Sequence, residues 1–400
     1  MKKSLFGVLS AGALVAGLTG CVDNGGGVGL SADSDVPRVV GPSVSVRPFG
    51  KTADGQDVKM YRLAGAGGVV MDVLDYGGTV VRLYTPDRNG KLTDITLGFN
   101  TVAEYEAHDS YFGALIGRYC NRIAKGKFTL DGRTYQLPLN NNPGGLPCSL
   151  HGGKKGFDRH VWKVEPFKRG ESVGLKLTMT SPNGDQGYPG KLDVVVKYVL
   201  TPENVWRIEY EAVTDKPTPV NLTQHVFFNF KGEAQGTILD HELTILGDKI
   251  TVVDAGLIPN GVLADVAGSA FDFTTPHKIG ERIDWQNDQL TYGGGYDQNF
   301  VLRNQTGQMA KAAELYEDST GRYMEIWTTE PALQFYCGNF LTDRIAGKQG
   351  RNLCFRGGLA LETQHIPNSV NLPQFPSTIL RPGEVYKTVT EYRFGRKGGI

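Results

Sequence analysis

Residues 117–132 read GRYCNRIAKGKFTLDG. Near the end of this stretch, the step Asp131-Gly132 separates residues 128–130 from residues 133–137, and both segments mix apolar with polar side chains. An Asp-Gly step in this setting is a strong signal for a β-hairpin, because a two-residue turn needs positive φ at both positions. We therefore predict two antiparallel strands joined by a tight turn.

Polar residues lie on both sides of this predicted hairpin. Asn121 and Arg122 precede it, and His151 follows it within residues 150–157, LHGGKKGF. The two glycines after His151 allow the backbone to turn sharply or to approach a ligand closely. From this pattern alone, a surface hairpin with a solvated arginine and a hydrogen-bonded loop histidine explains the residues at least as well as a binding site does.

Alternation of apolar and polar side chains is the main secondary-structure signal elsewhere in the chain. It runs through residues 175–180 and 206–212, as is typical of strands with one buried face. Residues 192–200 are apolar at several positions on both faces, which favours a central strand between two layers. With 53 glycines, 20 prolines and few helical periods, the chain is predicted to be all-β.

The length of the predicted globular part, residues 44–400, bears on its architecture. No linker-like break in composition divides it, although one core usually stops growing at about 250–300 residues. No repeat of 20 to 50 residues indicates a propeller or a solenoid. We therefore expect one large antiparallel β-sandwich or two fused sheets.

The first 20 residues have the pattern of a bacterial lipoprotein signal peptide. Lys2 and Lys3 precede an apolar run over residues 5–18, and small residues then lead to Cys21. The apolar run is shorter than the ~20 residues that span a bilayer. We expect a mature chain that begins at an acylated Cys21.

Residues 21–43 are predicted to form a flexible tether. They are rich in Gly, Ser and Asp, with too few large apolar residues to bury much surface. Val22 follows the lipid-bearing cysteine, where aspartate commonly marks retention in the inner membrane. We therefore expect a lipid-anchored protein of the cell envelope, on the periplasmic side and held by the outer membrane.

The bulk composition argues against several classes of protein. Without residues 1–20 the formal net charge is −2, so that no basic footprint for nucleic acid is present. His241-Glu242 has no second histidine at the spacing of a zinc protease, and the glycines of residues 65–68 lack the lysine of a phosphate loop. Four cysteines besides Cys21 match no disulfide scaffold or zinc site, and we expect free, partly buried thiols. They are Cys120, Cys148, Cys337 and Cys354.

Five segments together identify a family. Besides residues 117–157, they are residues 183–190 (NGDQGYPG), 218–225 (TPVNLTQH), 296–300 (YDQNF) and 361–368 (LETQHIPN). In this order they resemble the galactose mutarotase (aldose 1-epimerase) family, over nearly all of residues 44–396. The resemblance implies a galactose mutarotase-like β-supersandwich. It also implies an isomerase that interconverts the α and β anomers of a free hexose, galactose or glucose, with no metal or organic cofactor.

The resemblance also implies the catalytic pair, His225 as general acid and Glu362 as general base. Opening the sugar ring requires one group to take the proton of the anomeric hydroxyl and another to protonate the ring oxygen. Imidazole suits this work because its ordinary pKa of about 6.5 lies near working pH. The apolar residues before Glu362 predict a strand that carries the carboxylate into a pocket, where its pKa is raised unless it is paired.

A sugar hydroxyl that gives up its hydrogen bonds to water on binding needs fixed donors and acceptors of the protein to replace them. By family position, Asn121, Arg122, His151, Asp272 and Gln334 are expected to hold the sugar hydroxyls, with Asp272 as a bidentate acceptor. We expect no partner besides the sugar and, through the lipid on Cys21, the membrane; no obligate protein partner is predicted.

Three positions depart from the usual family pattern, and they put the preferred sugar in doubt. Cys120 replaces a common alanine, Gln298 a common histidine and Asn368 a common aspartate. Two other functions remain open at this point. One is a carbohydrate-binding lipoprotein without turnover, which needs no matched acid and base. The other is an epimerase for phosphorylated hexoses, which needs a cluster of basic residues around the distal end of the sugar.

Overall fold

A computed structural model describes residues 36–37 and 41–398. The predicted signal peptide, Cys21 and most of the predicted tether lie outside the described residues. Residues 41–398 belong to one compact unit. In this described part of the chain, no helix combines the length and the apolar character needed to cross a bilayer.

Strands account for most of the regular secondary structure of residues 41–398, and paired strands within each sheet run antiparallel. In chain order the strands are β1 Ser43–Lys51, β2 Asp57–Ala64, β3 Val70–Leu74, β4 Val80–Pro86, β5 Leu92–Asp94, β6 Leu115–Ile116, β7 Arg122–Ala124, β8 Lys127–Leu130, β9 Arg133–Gln136, β10 Cys148–Leu150, β11 Lys163–Arg169, β12 Ser172–Ser181, β13 Leu192–Leu200, β14 Val205–Thr214, β15 Thr218–Pro219, β16 Thr223–Gln224, β17 Phe227–Phe228, β18 Glu242–Ile245, β19 Gly247–Val253, β20 Pro259–Asp265, β21 His277–Lys278, β22 Asp297–Leu302, β23 Ala310–Glu317, β24 Arg322–Thr328, β25 Ala332–Tyr336, β26 Leu359–Gln364, β27 Ile379–Leu380 and β28 Tyr386–Arg396. Two short helices, α1 Val102–Ala107 and α2 Asp288–Gly293, and several single 3₁₀ turns complete the elements.

Three sheets carry the architecture. A five-stranded meander has the order β1-β2-β3-β4-β5, and a six-stranded sheet has the order β17-β26-β25-β22-β19-β20. The largest sheet has nine strands, in the order β11-β12-β13-β14-β28-β24-β23-β18-β21. Four two-stranded ladders pair β6 with β16, β7 with β10, β8 with β9 and β15 with β27. The prediction of an all-β fold with large antiparallel sheets is confirmed.

The six-stranded sheet packs one of its faces against the nine-stranded sheet. The hydroxyl groups of Thr363 on β26 and Thr390 on β28 share a hydrogen bond of 2.6 Å. The hydroxyl of Tyr392, also on β28, donates to the carbonyl of Leu361 at 3.4 Å. Successive residues of a strand point to opposite faces. Glu362, between Leu361 and Thr363, therefore points away from the nine-stranded sheet.

Two local expectations from the sequence have different outcomes. Strands β8 and β9 form the predicted hairpin, in which Asp131 and Gly132 have φ values of 50° and 78°. Strand β13 lies inside the nine-stranded sheet as expected, but its residues alternate between buried and half-buried. The expected burial on both faces is therefore wrong, because only one face of this strand is fully covered.

The four cysteines after the predicted tether are described by the structure, and they were predicted to be free, partly buried thiols. Cys120, Cys148 and Cys337 are free thiols, as predicted. These three are fully rather than partly buried, and Cys354 is 8% exposed. Burial raises the pKa of the Cys337 thiol to about 12, and it also raises the pKa of Cys148.

A buried arginine ties the start of the sugar-binding segment predicted from the sequence to two other parts of the chain. The guanidinium of Arg118 donates to the carbonyls of Pro189 and Gly190 at 2.8 and 3.0 Å. It also donates to the hydroxyls of Thr218 and Ser181 at 3.1 and 2.7 Å. Burial lowers the pKa of Arg118 to about 10, so that the group remains charged at neutral pH. These bonds hold the chain just before β7 against β12 and β15.

We expect Arg118→Lys to lower the free energy of unfolding by at least about 2 kcal/mol, because an ammonium group cannot reach all the acceptors and leaves several of them buried without a donor. Urea denaturation measures this change. The matched control is Arg351→Lys at an exposed position, for which a change within about 0.5 kcal/mol is expected. A loss below about 1 kcal/mol for Arg118→Lys would contradict the anchoring role.

Candidate active site

A cavity of about 590 Å³ opens beside the six-stranded sheet. This volume lies within the range of about 300–1,000 Å³ that is usual for small-molecule sites. Five of the seven residues predicted from the sequence line it: Asn121, Arg122, His151, His225 and Glu362. The other lining residues are His108, Asp109, Ser110, Tyr111, Phe112, Asn141, Asn142, Pro143, Leu150, Phe227, Asp297, Tyr336, Phe340, Leu341 and Ile345.

The register of the six-stranded sheet brings one set of side chains to the cavity. Asp297 on β22 pairs with Tyr336 on β25, which pairs with Ala360 on β26. Two residues along, Gln334 on β25 pairs with Glu362 on β26. Residues that pair directly across a sheet project from the same face. Asp297 and Glu362, far apart in sequence, therefore reach the same side of the sheet.

His225 lies between strands β16 and β17. Its backbone N–H donates to the carbonyl of Ala114 at 2.9 Å, and its own carbonyl accepts from the N–H of Gly113 at 3.0 Å. Its ring stacks on that of Phe227 with the centroids 5.1 Å apart. These contacts direct His225 Nε2 towards Glu362 Oε1, at a distance of 3.5 Å.

Burial determines the charges of this pair. It raises the pKa of Glu362 well above its usual range, and the neighbouring carboxylate of Asp297 adds to the rise. Burial also lowers the pKa of His225 to about 4. Both shifts favour the uncharged forms, a protonated Glu362 and a neutral imidazole at His225. In these forms the two side chains face each other as an acid and a base with one proton that can be transferred between them.

A second wall of the cavity comes from the short ladder of β7 and β10. Asn121 and His151 adjoin the paired residues Arg122 and Leu150, and both have positive φ, 58° and 50°. The N–H of Asn121 donates to His151 Nδ1, and the N–H of His151 donates to the carbonyl of Asn121, each at 3.1 Å. Burial lowers the pKa of His151 well below its usual value. Its single ring proton is therefore on Nε2.

Arg122 and Asp297 form a buried pair across the cavity. Arg122 Nη1 lies 3.8 Å from Asp297 Oδ2, and Arg122 Nε donates to the side-chain oxygen of Asn141 at 3.1 Å. Gln334 Nε2 donates to Asp297 Oδ1 at 2.7 Å. Gln334 is thus outside the cavity lining and holds the carboxylate of Asp297. Burial raises the pKa of Asp297, although Arg122 and Gln334 oppose the rise.

The expectation that Asp272 binds the ligand directly is wrong. Asp272 is not among the residues that line the cavity. Its carboxylate instead accepts hydrogen bonds from the N–H groups of Thr274 and Gly268, each at 3.2 Å. Phe271 and Phe273 on either side are buried, so that Asp272 points the other way and caps its own turn. The aspartate beside Arg122 in the cavity is instead Asp297, which was not predicted from the sequence as a site residue. It lies in residues 296–300, one of the five segments that carry the family resemblance.

The three departures from the family pattern lie outside the cavity lining. Cys120 Sγ donates to the side-chain oxygen of Gln364 at 3.2 Å. Gln298 is on the opposite face of β22 from Asp297, and the side-chain oxygen of Asn368 accepts from the N–H of Ala124 at 3.1 Å. None of the three substitutions is therefore in direct reach of a ligand in the cavity.

We expect nuclear magnetic resonance titration to separate two histidines by the direction of their pKa shifts. His225 should stay neutral until the pH falls to about 4, because burial disfavours the imidazolium. Burial acts in the same sense on His365, but the carboxylate of Glu330, 2.6 Å from its Nδ1, outweighs it and raises the pKa of His365 above 6.5. Titration of His225 near its ordinary value of 6.5 would contradict the electrostatics of the site.

Comparisons with known proteins agree with this geometry. Residues 59–393 match the family model described as Aldose 1-epimerase. The chain is 41% identical over 324 residues to galactose mutarotase of Rattus norvegicus, a match that covers 81% of this chain and 90% of the relative. It is 37% identical over 350 residues to aldose 1-epimerase of Escherichia coli strain K12, which covers 85% of this chain and 96% of that protein.

Solved structures have the same architecture. Galactose 1-epimerase from Lactobacillus acidophilus NCFM matches with a TM-score of 0.77 and 28% identity, over 89% of this chain and all of that one. An aldose epimerase homologue from C. elegans matches with a TM-score of 0.76 and 28% identity, over 85% of this chain and 99% of that one. Sequence, fold and the arrangement of the cavity agree, and the chain belongs to the aldose 1-epimerase family.

Proposed function

We propose that the protein interconverts the α and β anomers of a free hexose, galactose or glucose, by opening and reclosing the sugar ring. The observation that carries this proposal is the buried pair of His225 and Glu362, 3.5 Å apart, on one side of a cavity with several hydroxyl-binding groups. The relatives named galactose mutarotase and aldose 1-epimerase support it.

The reaction needs one acid and one base at the same time. The base takes the proton of the anomeric hydroxyl, the bond between C1 and the ring oxygen breaks, and its electrons leave with the ring oxygen, which takes a proton from the acid. C1 is then an aldehyde carbon. Rotation about the bond from C1 to C2 presents the other face of the aldehyde, and the same steps run backwards. The pair holds one proton before and after the cycle, so that the proton count balances.

We assign His225 as the acid in ring opening and Glu362 as the base. This assignment requires the proton to move from Glu362 to His225 once the sugar has entered. A sugar hydroxyl that donates to the carboxylate of Glu362 favours its ionised form, and so does the guanidinium of Arg122. The bound sugar itself therefore prepares the charged state in which His225 can donate.

The remaining polar groups of the cavity are suited to a neutral sugar. Arg122, Asn121, His151 and Asp297 offer donors and acceptors for hydroxyl groups. Arg122 is the one Lys or Arg side chain among the described residues that line the cavity. A phosphorylated hexose needs a cluster of such groups, and the proposal therefore favours the free sugar.

Polarimetry tests this function with the purified protein and freshly dissolved α-galactose or α-glucose. We expect Glu362→Gln and His225→Asn each to reduce turnover by at least about 10²-fold, since each removes one proton-transfer group. The spontaneous rate in the same buffer is subtracted.

A binding protein without turnover gives a different result in this experiment. The wild type would then bind galactose without speeding its approach to equilibrium, and Glu362→Gln would leave that binding unchanged. Near-normal turnover in either variant would instead mean that the catalytic pair has been misassigned.

The two aspartates provide a matched test of the binding site. We expect Asp297→Asn to lower kcat/KM for galactose by at least about tenfold, because the buried partner of Arg122 and of a sugar hydroxyl is weakened. Asp272→Asn, outside the cavity, should change kcat/KM less than about twofold. Equal losses in the two variants would contradict the assignment of Asp297.

We further propose that the mature protein is anchored by a lipid on Cys21, on the periplasmic side of the outer membrane. The support is the order of a basic start, an apolar run and a cysteine after small residues. Cell fractionation tests it: the wild type should sediment with outer membranes, whereas Cys21→Ala should not be acylated. Equal membrane association of the two forms would refute lipid anchoring.

A further inference from the structure

Tyr111 lines the cavity and contacts both of the histidines assigned to the site. Its ring centroid lies 4.6 Å from that of His151 and 5.9 Å from that of His225. The two imidazoles are themselves 5.0 Å apart and nearly perpendicular. Aromatic rings attract each other at centroid separations of about 4.5–7 Å. Tyr111, which was not predicted from the sequence as a site residue, therefore packs against the assigned acid and against a sugar-binding residue at once.

The imidazole of His225 lacks the hydrogen bond that usually orients a catalytic histidine. Such a ring is commonly held through its second nitrogen, by a carboxylate or a backbone carbonyl. In the described part of the chain, His225 Nδ1 has no hydrogen-bond partner, and Nε2 faces Glu362, with which it exchanges a proton. His151, by contrast, is held at Nδ1 by the N–H of Asn121 at 3.1 Å. Packing against other rings must therefore hold the imidazole of His225.

We propose that Tyr111 is a positioning residue for the reaction, and that its ring, together with that of Phe227, keeps the imidazole of His225 directed at Glu362. This inference deepens the proposed function and rests on it. The rings of Phe227 and Tyr111 are inclined to the imidazole by 30° and 34°. Rotation of the imidazole out of its plane would bring its edge against one of these rings.

The backbone keeps Tyr111 next to His225. Gly113, two residues after Tyr111, donates its N–H to the carbonyl of His225 at 3.0 Å, and the N–H of His225 donates to the carbonyl of Ala114 at 2.9 Å. The carbonyl of Tyr111 accepts from the N–H of Ala114 at 3.2 Å. Tyr111 has a φ of 55°, which is unfavourable for a residue with a bulky side chain. The fold therefore maintains a strained backbone at the residue that carries this ring.

The ring of Tyr111 makes these contacts, and its hydroxyl group does not. Among residues 36–37 and 41–398, the hydroxyl has no hydrogen-bond partner. Burial raises the pKa of Tyr111 well above its ordinary value, so that the hydroxyl keeps its proton at neutral pH. Proton transfer therefore stays with His225 and Glu362, and the contribution of Tyr111 is to their geometry.

The surroundings of His225 give this role a pH-dependent signature. The ionisable groups facing its ring are Glu362, His151 and Tyr111, and the same cavity is lined by Arg122 and Asp297, which pair with each other at 3.8 Å. Burial lowers the pKa of His225 to about 4. Without the Tyr111 ring, water reaches the imidazole, and the imidazolium forms at higher pH. An imidazolium that faces a protonated Glu362 leaves the pair without a base, and activity is then lost.

Steady-state polarimetry with galactose tests the inference on Tyr111→Ala. We expect kcat to fall at least about tenfold while KM changes less than about threefold, because the acid is misplaced whereas His151 keeps its bonds to Asn121. The conservative variant Tyr111→Phe retains the ring and should restore kcat to within about threefold of the wild type. The matched control is Tyr292→Ala, which removes an exposed tyrosine of α2 outside the cavity lining and should leave kcat and KM unchanged.

The pH dependence of kcat/KM provides a readout that a loss of stability does not produce. Its acid limb, which reports the ionisation of His225 in the free enzyme, should move up by at least about 0.5 in pH in Tyr111→Ala and stay in place in Tyr111→Phe. Nuclear magnetic resonance titration of His225 should show the same direction without substrate. Circular dichroism verifies folding. If Tyr111→Ala does not fold, Tyr111→Leu, which fills part of the space without a flat ring, replaces it in the measurement of kcat.

Three results would overturn the inference. The first is a folded Tyr111→Ala with the kcat of the wild type, which leaves the proposed function standing. The second is an equal loss in Tyr111→Phe, which would assign the effect to the hydroxyl group. The third is a fall in kcat without a shift of the acid limb or of the His225 titration, because the loss would then not act through His225. Absence of turnover in the wild type would instead overturn the proposed function, and the inference with it.

Discussion

The burial of the Glu362 carboxyl group is the constraint on which the site depends. Strand β26 lies between β17 and β25, and Glu362 projects from it into the cavity while its neighbours on either side face the nine-stranded sheet. Its Oε2 has no partner among the described residues. Such a group costs about 1–3 kcal/mol when it is left unsatisfied. The free energy gained by burying the other face of the sheet against the nine-stranded sheet must exceed this cost. That burial makes a reactive carboxyl group compatible with a stable fold.

The same arrangement makes the site rigid. The carboxyl groups of Glu362 and Asp297 come from strands β26 and β22, which pair with the two sides of β25, so that two backbone ladders set their relative positions. Asn121 and His151 come from the end of another ladder, where each holds the other through a backbone N–H. Their positive φ values are unfavourable for residues with side chains, and the surrounding bonds maintain them. A site built in this way loses little conformational freedom when a ligand enters.

The parts of the molecule that were predictable from the sequence are those with a local physical signal. The Asp131-Gly132 turn and the alternating strands follow from backbone preference and one-sided burial. The position of Gln334 depends on which strands lie side by side, and that of Asp272, which is outside the strands, depends on how a turn packs against distant residues. No short segment of the chain encodes either. One local signal was nevertheless available for Asp272. It stands between two buried phenylalanines, and a polar residue in that position faces away from the groups that the two rings contact.

The opposite pKa shifts of the catalytic pair have a consequence for a reversible reaction. In water a histidine holds a proton more firmly than a glutamic acid, by about two pKa units. Burial reverses this order, because it disfavours both charged forms. Hydrogen bonds from a sugar to Glu362 act in the other direction and bring the two affinities closer together. A pair with similar proton affinities can pass its proton either way without a large penalty, as interconversion of two anomers of similar stability requires.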